Sequence, residues 1–228
     1  MAGRDSPNTL QNMSLIPFEP IPIKDNGELL VNLAGLGFFL EPVYFKQELS
    51  NDNRLFLRKS VVDKLIRIQD SFKIYKFKIW DGYRSRDIQN KIYEKYWTEQ
   101  KLKHPDWDSE ELKIEVGKFV SDAKNLSRIP PHATGGTVDL TLTDSSGKEL
   151  EMGTVFDYFG PEAASLYFEE NNINNHIRDN RRILRQVMTE EDFRVDPDEW
   201  WHFDYGNQQW AYALKRPYAF YGEAERPR

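Results

Sequence analysis

Only four histidines occur in this chain, and two of them stand beside carboxylates at spacings that suit a metal. His132 precedes Asp139 by seven positions in HATGGTVD, and Glu199 precedes His202 by three in EWWHFDYG. Two neutral imidazoles and one carboxylate, with a fourth position left open, form the ligand set of a catalytic zinc site. With no cysteine anywhere, thiolate nucleophiles, disulfides and Cys-ligated zinc are excluded. Any metal rests on His and carboxylates, a set that manganese and cobalt also accept. His104, in the loop KHPDW, and His176, opening a helix, are expected to face solvent. On spacing alone two readings stay open for EWWHFDYG: a core strand that carries polar residues, or one wall of a catalytic site.

The segments around these residues must bring them together. Thr137 to Leu142 alternates strictly after the turn at Gly135-Gly136, with Val138, Leu140 and Leu142 on one face and Thr137, Asp139 and Thr141 on the other. WWHFDY, 200–205, reads as a strand with His202 and Asp204 on one face and Trp201, Phe203 and Tyr205 on the opposite one. If the two polar faces adjoin, Asp139 meets His202, and His132 folds back across the glycine turn as a third ligand. Ideal strand geometry sets residues 199 and 202 on opposite faces. The turn DPDE, 196–199, relieves this, leaving Glu199 free to aim at the metal as a base acting on water.

Farther along the chain, LLVNLAGLGFFLEPVYF, 29–45, suits short strands and turns. Helices are predicted from Ser60 as N-cap, with Val61, Leu65, Ile68 and Phe72 on one stripe, and over 86–102, 109–125, 161–173 and 176–189. In the 109–125 helix Leu112, Val116, Phe119 and Ala123 share a face, and Asp108 with Glu111 has capping-box spacing. FKIWDGY, 77–83, alternates as a strand and breaks at Asp81-Gly82, and FRV, 193–195, is a further short strand. No strand-helix-strand alternation repeats, which argues for an α+β fold, a single domain with a central, mainly antiparallel sheet flanked by helices. Residues 1–25 read as an N-terminal arm and 26–228 as the domain proper.

Bulk composition narrows the partners. The 31 Lys plus Arg against 37 Asp plus Glu leave a formal charge of −6, which disfavours nucleic acid. The arginines at 178, 181, 182 and 185 are expected to form a solvated, ion-paired helix face. GLG at 35–37 lacks a third glycine and a following helix, so a dinucleotide site is not expected. The first twenty residues hold no apolar stretch of the length a signal peptide or membrane span needs, so no membrane association is expected and the location expected is cytoplasmic, or periplasmic if a leader was removed.

HATGGTVDLTL together with EWWHFDYG resembles the paired zinc-binding motifs of the D-alanyl-D-alanine dipeptidases, the VanX-type branch of the zinc DD-peptidase family, peptidase family M15. WDGYRS, 80–85, is similar to their third signature, and MGTVFDYF, 152–159, and NRRILRQVM, 180–188, agree further. The resemblance runs in order from about residue 36 to 205. It implies a hedgehog/DD-peptidase-like fold, one zinc ion per chain held by His132, Asp139 and His202, Glu199 as general base and acid, and Arg84 steadying the negative charge of the tetrahedral intermediate. Asp157 matches a carboxylate that pairs with the free ammonium of a small dipeptide substrate, a contact that would select dipeptides over longer chains.

Departures from the family pattern border the substrate pocket. Pro130-Pro131 replaces the serine-any residue pair before the first histidine, and proline offers neither hydroxyl nor N–H. Thr137 stands where the family has alanine, and GFFLEPVY replaces an asparagine-phenylalanine-any-glycine run. Two other readings remain: a carboxypeptidase or endopeptidase acting on peptidoglycan stem peptides, and a zinc-stabilised binding module without turnover. The sequence leaves the oligomeric state open.

Overall fold

The computed structural model describes residues 21–117, 120–121, 123–124 and 128–227. Most of the expected N-terminal arm therefore lies outside the described residues, as do Phe119 and part of the helix expected to run to 125. A five-stranded sheet, ordered β2-β4-β5-β7-β6, organises the chain. Its strands are β2 (Phe39–Leu40), β4 (Lys76–Asp81), β5 (Thr137–Thr143), β6 (Arg194–Val195) and β7 (His202–Asp204). Only β2 runs parallel to its neighbour, and the other pairs are antiparallel. β1 (Leu30–Asn32) and β3 (Phe56–Arg58) form a separate antiparallel pair. The fold is α+β with a mainly antiparallel sheet, as the sequence predicts.

All seven residues of β5 are buried, so the alternation in TVDLTLT separates two covered faces rather than core from solvent. Val138, Leu140 and Leu142 join Phe77, Ile79 and Phe203 in the main apolar cluster. Truncating a fully buried leucine such as Leu140 to alanine costs about 2–5 kcal/mol. Helix α1 (Val43–Lys46) is a single turn, and α2 (Lys59–Ser71) presents Val61, Val62, Leu65 and Ile68 to the main cluster. Ser60 is not its N-cap: the helix begins one residue earlier. Glu28 accepts from both the backbone N–H and the hydroxyl of Ser60, so a carboxylate from elsewhere in the chain satisfies the helix start.

Helix α3 (Arg86–Lys103) buries Gln89, Ile92, Tyr96 and Gln100, and α4 (Ser109–Gly117) buries Leu112 and Val116. The capping box forms at α4: Asp108 accepts from the N–H groups of Glu110 and Glu111, while Glu111 accepts from that of Asp108. The helix expected over 161–173 is instead a 3-10 turn at Pro161–Ala163 followed by the short α5 (Tyr167–Glu170). Tertiary partners break it. Ser165 donates its N–H to Pro197 O and its hydroxyl to Asp196 O, and Arg181 takes the carbonyls of Glu162 and Ala164 that a helix would have used.

Arg181 lies on α6 (Asn175–Glu190), whose arginines divide in two. Arg178, Arg182 and Arg185 pair with Asp179 or Glu169, as expected of a solvated face. Arg181 is buried instead, donating to the carbonyls of Met152, Glu162 and Ala164 and lying over the rings of Phe168 and Trp200. Burial lowers its pKa to about 10. His176 is exposed, whereas His104 is half-buried because its ring stacks on Trp107 at a centroid distance of 3.7 Å. Helix α7 (Gln208–Ala213) follows β7 after a turn at Gly206. No helix among the described residues is long and apolar enough to cross a membrane.

Candidate active site

The site is built where β4, β5 and β7 lie side by side. Register pairs Asp139 with His202 on one side and with Asp81 on the other, across an irregularity in β4. His132 comes from a 3-10 turn, Pro131–Thr134, that ends at Gly135 in a left-handed conformation (φ +69°). Gly136 then passes the backbone just after β7 so closely that a Cβ there would collide with Tyr205 O. The glycine pair thus returns His132 over the end of β5 and closes the sheet beneath it.

His132 Nε2 lies 3.3 Å from Asp139 Oδ2, and His202 Nδ1 lies 3.2 Å from Asp139 Oδ1. One potential donor atom from each of the three residues falls within 4.8 Å of the others. The remaining ring nitrogens are occupied: His132 Nδ1–H donates to Gly82 O at 2.8 Å, and His202 Nε2 faces Asp204 Oδ1 at 3.3 Å. With their outer nitrogens so engaged, His132 Nε2 and His202 Nδ1 are the atoms that face Asp139. Asp139 Oδ1 is buried with no hydrogen-bond partner, which suits a cation and costs stability without one. Burial pushes the Asp139 carboxyl up, but His132 and His202 outweigh it and hold the group well below the usual range. For His202 burial acts downward, and Asp204 and Asp139 raise its pKa well above the ordinary imidazole value.

Glu199 sits in the turn before β7, where the N–H of His202 donates to its carbonyl. β7 starts only at His202, later than the sequence suggests, because Trp200 N–H goes to Ala163 O. The turn resolves the facing conflict: Glu199 Oε2 lies 3.4 Å from His202 Nδ1. Burial raises the Glu199 carboxyl well above its ordinary value against the pull of His202, and Asp196, Asp139 and Asp157 add to the rise.

Arg84 follows β4 and leads into α3. Its partner is Asp81, at 3.4 Å, not an acid of α3, and its guanidinium lies 4.8 Å from the centroid of the Tyr44 ring. Burial acts to lower its pKa, and Tyr44, Asp81 and Asp139 more than offset that, so it stays charged. Asp157 holds a left-handed backbone (φ +57°) in the segment between β5 and the 161–163 turn. The Tyr44 hydroxyl donates to its carboxylate. Burial, then the charge of Asp139, pushes Asp157 up to about 7.

All six sequence-predicted residues line one cavity of about 220 Å³. Tyr44 and Asp81 escaped notice in the sequence. Tyr44 lies in an apolar run that gives its hydroxyl no distinguishing context, whereas Asp81, at the polar end of an alternating strand beside a candidate arginine, carried a readable signal that the turn reading of Asp81-Gly82 obscured.

Comparison with known proteins follows the geometry. The family model for peptidase M15, described as D-ala-D-ala dipeptidase, matches residues 40–221. A D-alanyl-D-alanine dipeptidase of Synechocystis sp. is 26% identical over an alignment covering 92% of this chain and 98% of the relative. A protein of the same name from Enterococcus faecium is 26% identical over 66% of this chain and 73% of its own. The solved structure described as VanYB in complex with D-Alanine-D-Alanine aligns at a TM-score of 0.41 and 19% identity, covering 72% of this chain and 78% of that one. Since the family match takes in most of its length and every residue of the site, the chain belongs to the D-ala-D-ala dipeptidase family of M15 peptidases.

Proposed function

We propose that this protein is a zinc dipeptidase that hydrolyses D-Ala-D-Ala, or a closely related dipeptide, to free amino acids. The observation that carries the reading is the convergence of His132, Asp139 and His202 on one point of a cavity that Glu199, Arg84 and Asp157 also line. His132 Nε2, His202 Nδ1 and an Asp139 oxygen would hold the ion. When bound, zinc polarises the scissile carbonyl and acidifies a water.

The chain's own groups then divide the remaining work. Glu199 takes a proton from the attacking water and passes it to the departing amine as the C–N bond breaks. Arg84, always charged and already held by Asp81 and Tyr44, donates to the carbonyl oxygen as negative charge develops there. Asp157, in its ionised form, pairs with the substrate ammonium. A cavity of about 220 Å³ is smaller than the roughly 300–1,000 Å³ of drug-sized sites, which supports a small substrate.

The test is release of free D-alanine from D-Ala-D-Ala by zinc-loaded protein, with Glu199→Ala beside it. Release that requires Glu199 is expected. A zinc-loaded wild type that leaves D-Ala-D-Ala and related dipeptides intact overturns the proposal.

A further inference from the structure

Among the described residues, two clusters of metal-capable groups share His202: one with His132 and Asp139, the other with Asp196 and Asp204. The surroundings of the second mark it as something other than a metal site. Asp204 is fully buried, and both its oxygens are already taken by donors. Oδ1 accepts from the Thr137 hydroxyl at 2.8 Å and the Asn207 amide at 2.6 Å, and Oδ2 accepts from Arg194 Nη1 at 2.5 Å. Arg194 also reaches Asp196 Oδ2 at 3.0 Å, so a fixed cation lies between the two carboxylates where an ion would have to bind.

The donors around Asp204 are themselves fixed. Thr137 stands opposite Asp204 in the β5–β7 register. Asn207 caps α7: its Oδ1 accepts from Trp210 N–H at 2.9 Å, which turns its Nδ2 toward Asp204 and Thr137. What remains for Asp204 Oδ1 is the ring nitrogen of His202, at 3.3 Å.

We infer that Asp204, held by Thr137, Asn207 and Arg194, is a positioning residue that keeps the His202 proton on Nε2 and so presents the Nδ1 lone pair to the metal. Its carboxylate has acceptors only, so the Nε2–H form of the ring is the one it stabilises. Thr137, which departs from the small residue of the family pattern, acquires a function here: its hydroxyl supplies one of the hydrogen bonds that hold Asp204 in place. The inference rests on His202 being a metal ligand, as proposed above, and the tests of the two differ.

Zinc affinity is measured by chelator competition for wild type, Asp204→Asn and His202→Ala, together with the His202 imino proton in spectra of zinc-loaded, histidine-labelled protein. Asp204→Asn is expected to bind zinc roughly 10–100-fold more weakly, the usual effect of losing an outer hydrogen-bond partner, and to shift the Nε2–H resonance upfield. An unchanged affinity and resonance in folded Asp204→Asn overturns the inference. If that variant does not fold, Thr137→Ala decides: weaker zinc binding that Thr137→Ser restores supports the inference, and unchanged binding overturns it. If His202→Ala binds zinc as the wild type does, the ligand assignment itself falls, whatever Asp204→Asn shows.

Discussion

The Tyr44 hydroxyl donates to both oxygens of Asp157, at 3.1 and 3.3 Å, across 113 positions of sequence. This contact opposes the burial that pushes Asp157 up to about 7. An ammonium is recognised by the ionised form, so kcat/KM for a dipeptide should rise with pH through about 7. Tyr44→Phe removes a hydrogen bond that lowers the pKa, and the acid limb of the pH profile should move to higher pH. A limb that stays in place assigns it to another group.

The same raised pKa affects stability. The folded state binds the Asp157 proton more tightly than the unfolded chain does, so the contribution of this group is fully present below about pH 4 and is lost as pH rises through about 7. Asp157→Asn should therefore raise the melting temperature of the metal-free protein above pH 7 while weakening dipeptide binding. Melting curves at acid and alkaline pH, set beside KM, check both halves.

Glu199→Gln keeps the shape of the side chain and removes its basicity. Zinc content should stay at one ion per chain while kcat falls by about 10²–10⁴, the usual worth of a positioned acid-base group. Metal analysis and turnover on one preparation measure the two effects together.

Arg84→Lys preserves charge but not the planar fork. A lysine cannot both cover the Tyr44 ring and direct a paired donor at a developing oxyanion, so kcat should fall by about 10²–10³ with a smaller change in KM. Equal losses in binding and turnover would place Arg84 in ground-state recognition instead.

Arg181→Met leaves the carbonyls of Met152 and Glu162 without their donor, while Ala164 O keeps the N–H of Tyr167. Each carbonyl left unsatisfied costs about 1–3 kcal/mol, so for the two a loss of about 2–6 kcal/mol in denaturant unfolding is expected. Because Met152 and Glu162 flank the segment carrying Asp157, KM should rise more than kcat falls.

The convergence of the residues proposed to face the metal was legible because their signals are local. Strict alternation put Asp139 on the correct face of β5, and the DPDE turn freed Glu199 from the strand period. Features set by distant contacts were not legible. Nothing near Ser60 announces that Glu28 will satisfy the start of α2, and nothing within 161–173 shows that Ser165 and Arg181 will draw the chain out of a helix. Arg181 looked like its neighbours on α6 because charge patterning does not distinguish a guanidinium that finds carboxylates from one that finds buried carbonyls.

The buried Arg58 links segments far apart in the chain. It donates to Thr134 O, in the turn that carries His132, and to the carbonyls of Glu28 and Gly222, while Ala224 N–H bonds Ala133 O. The terminal segment is thus a brace for a proposed metal ligand more than 80 positions earlier. A protease cut or a fusion joint placed after Tyr221 would loosen the turn that carries His132 without altering a single residue proposed to touch the metal.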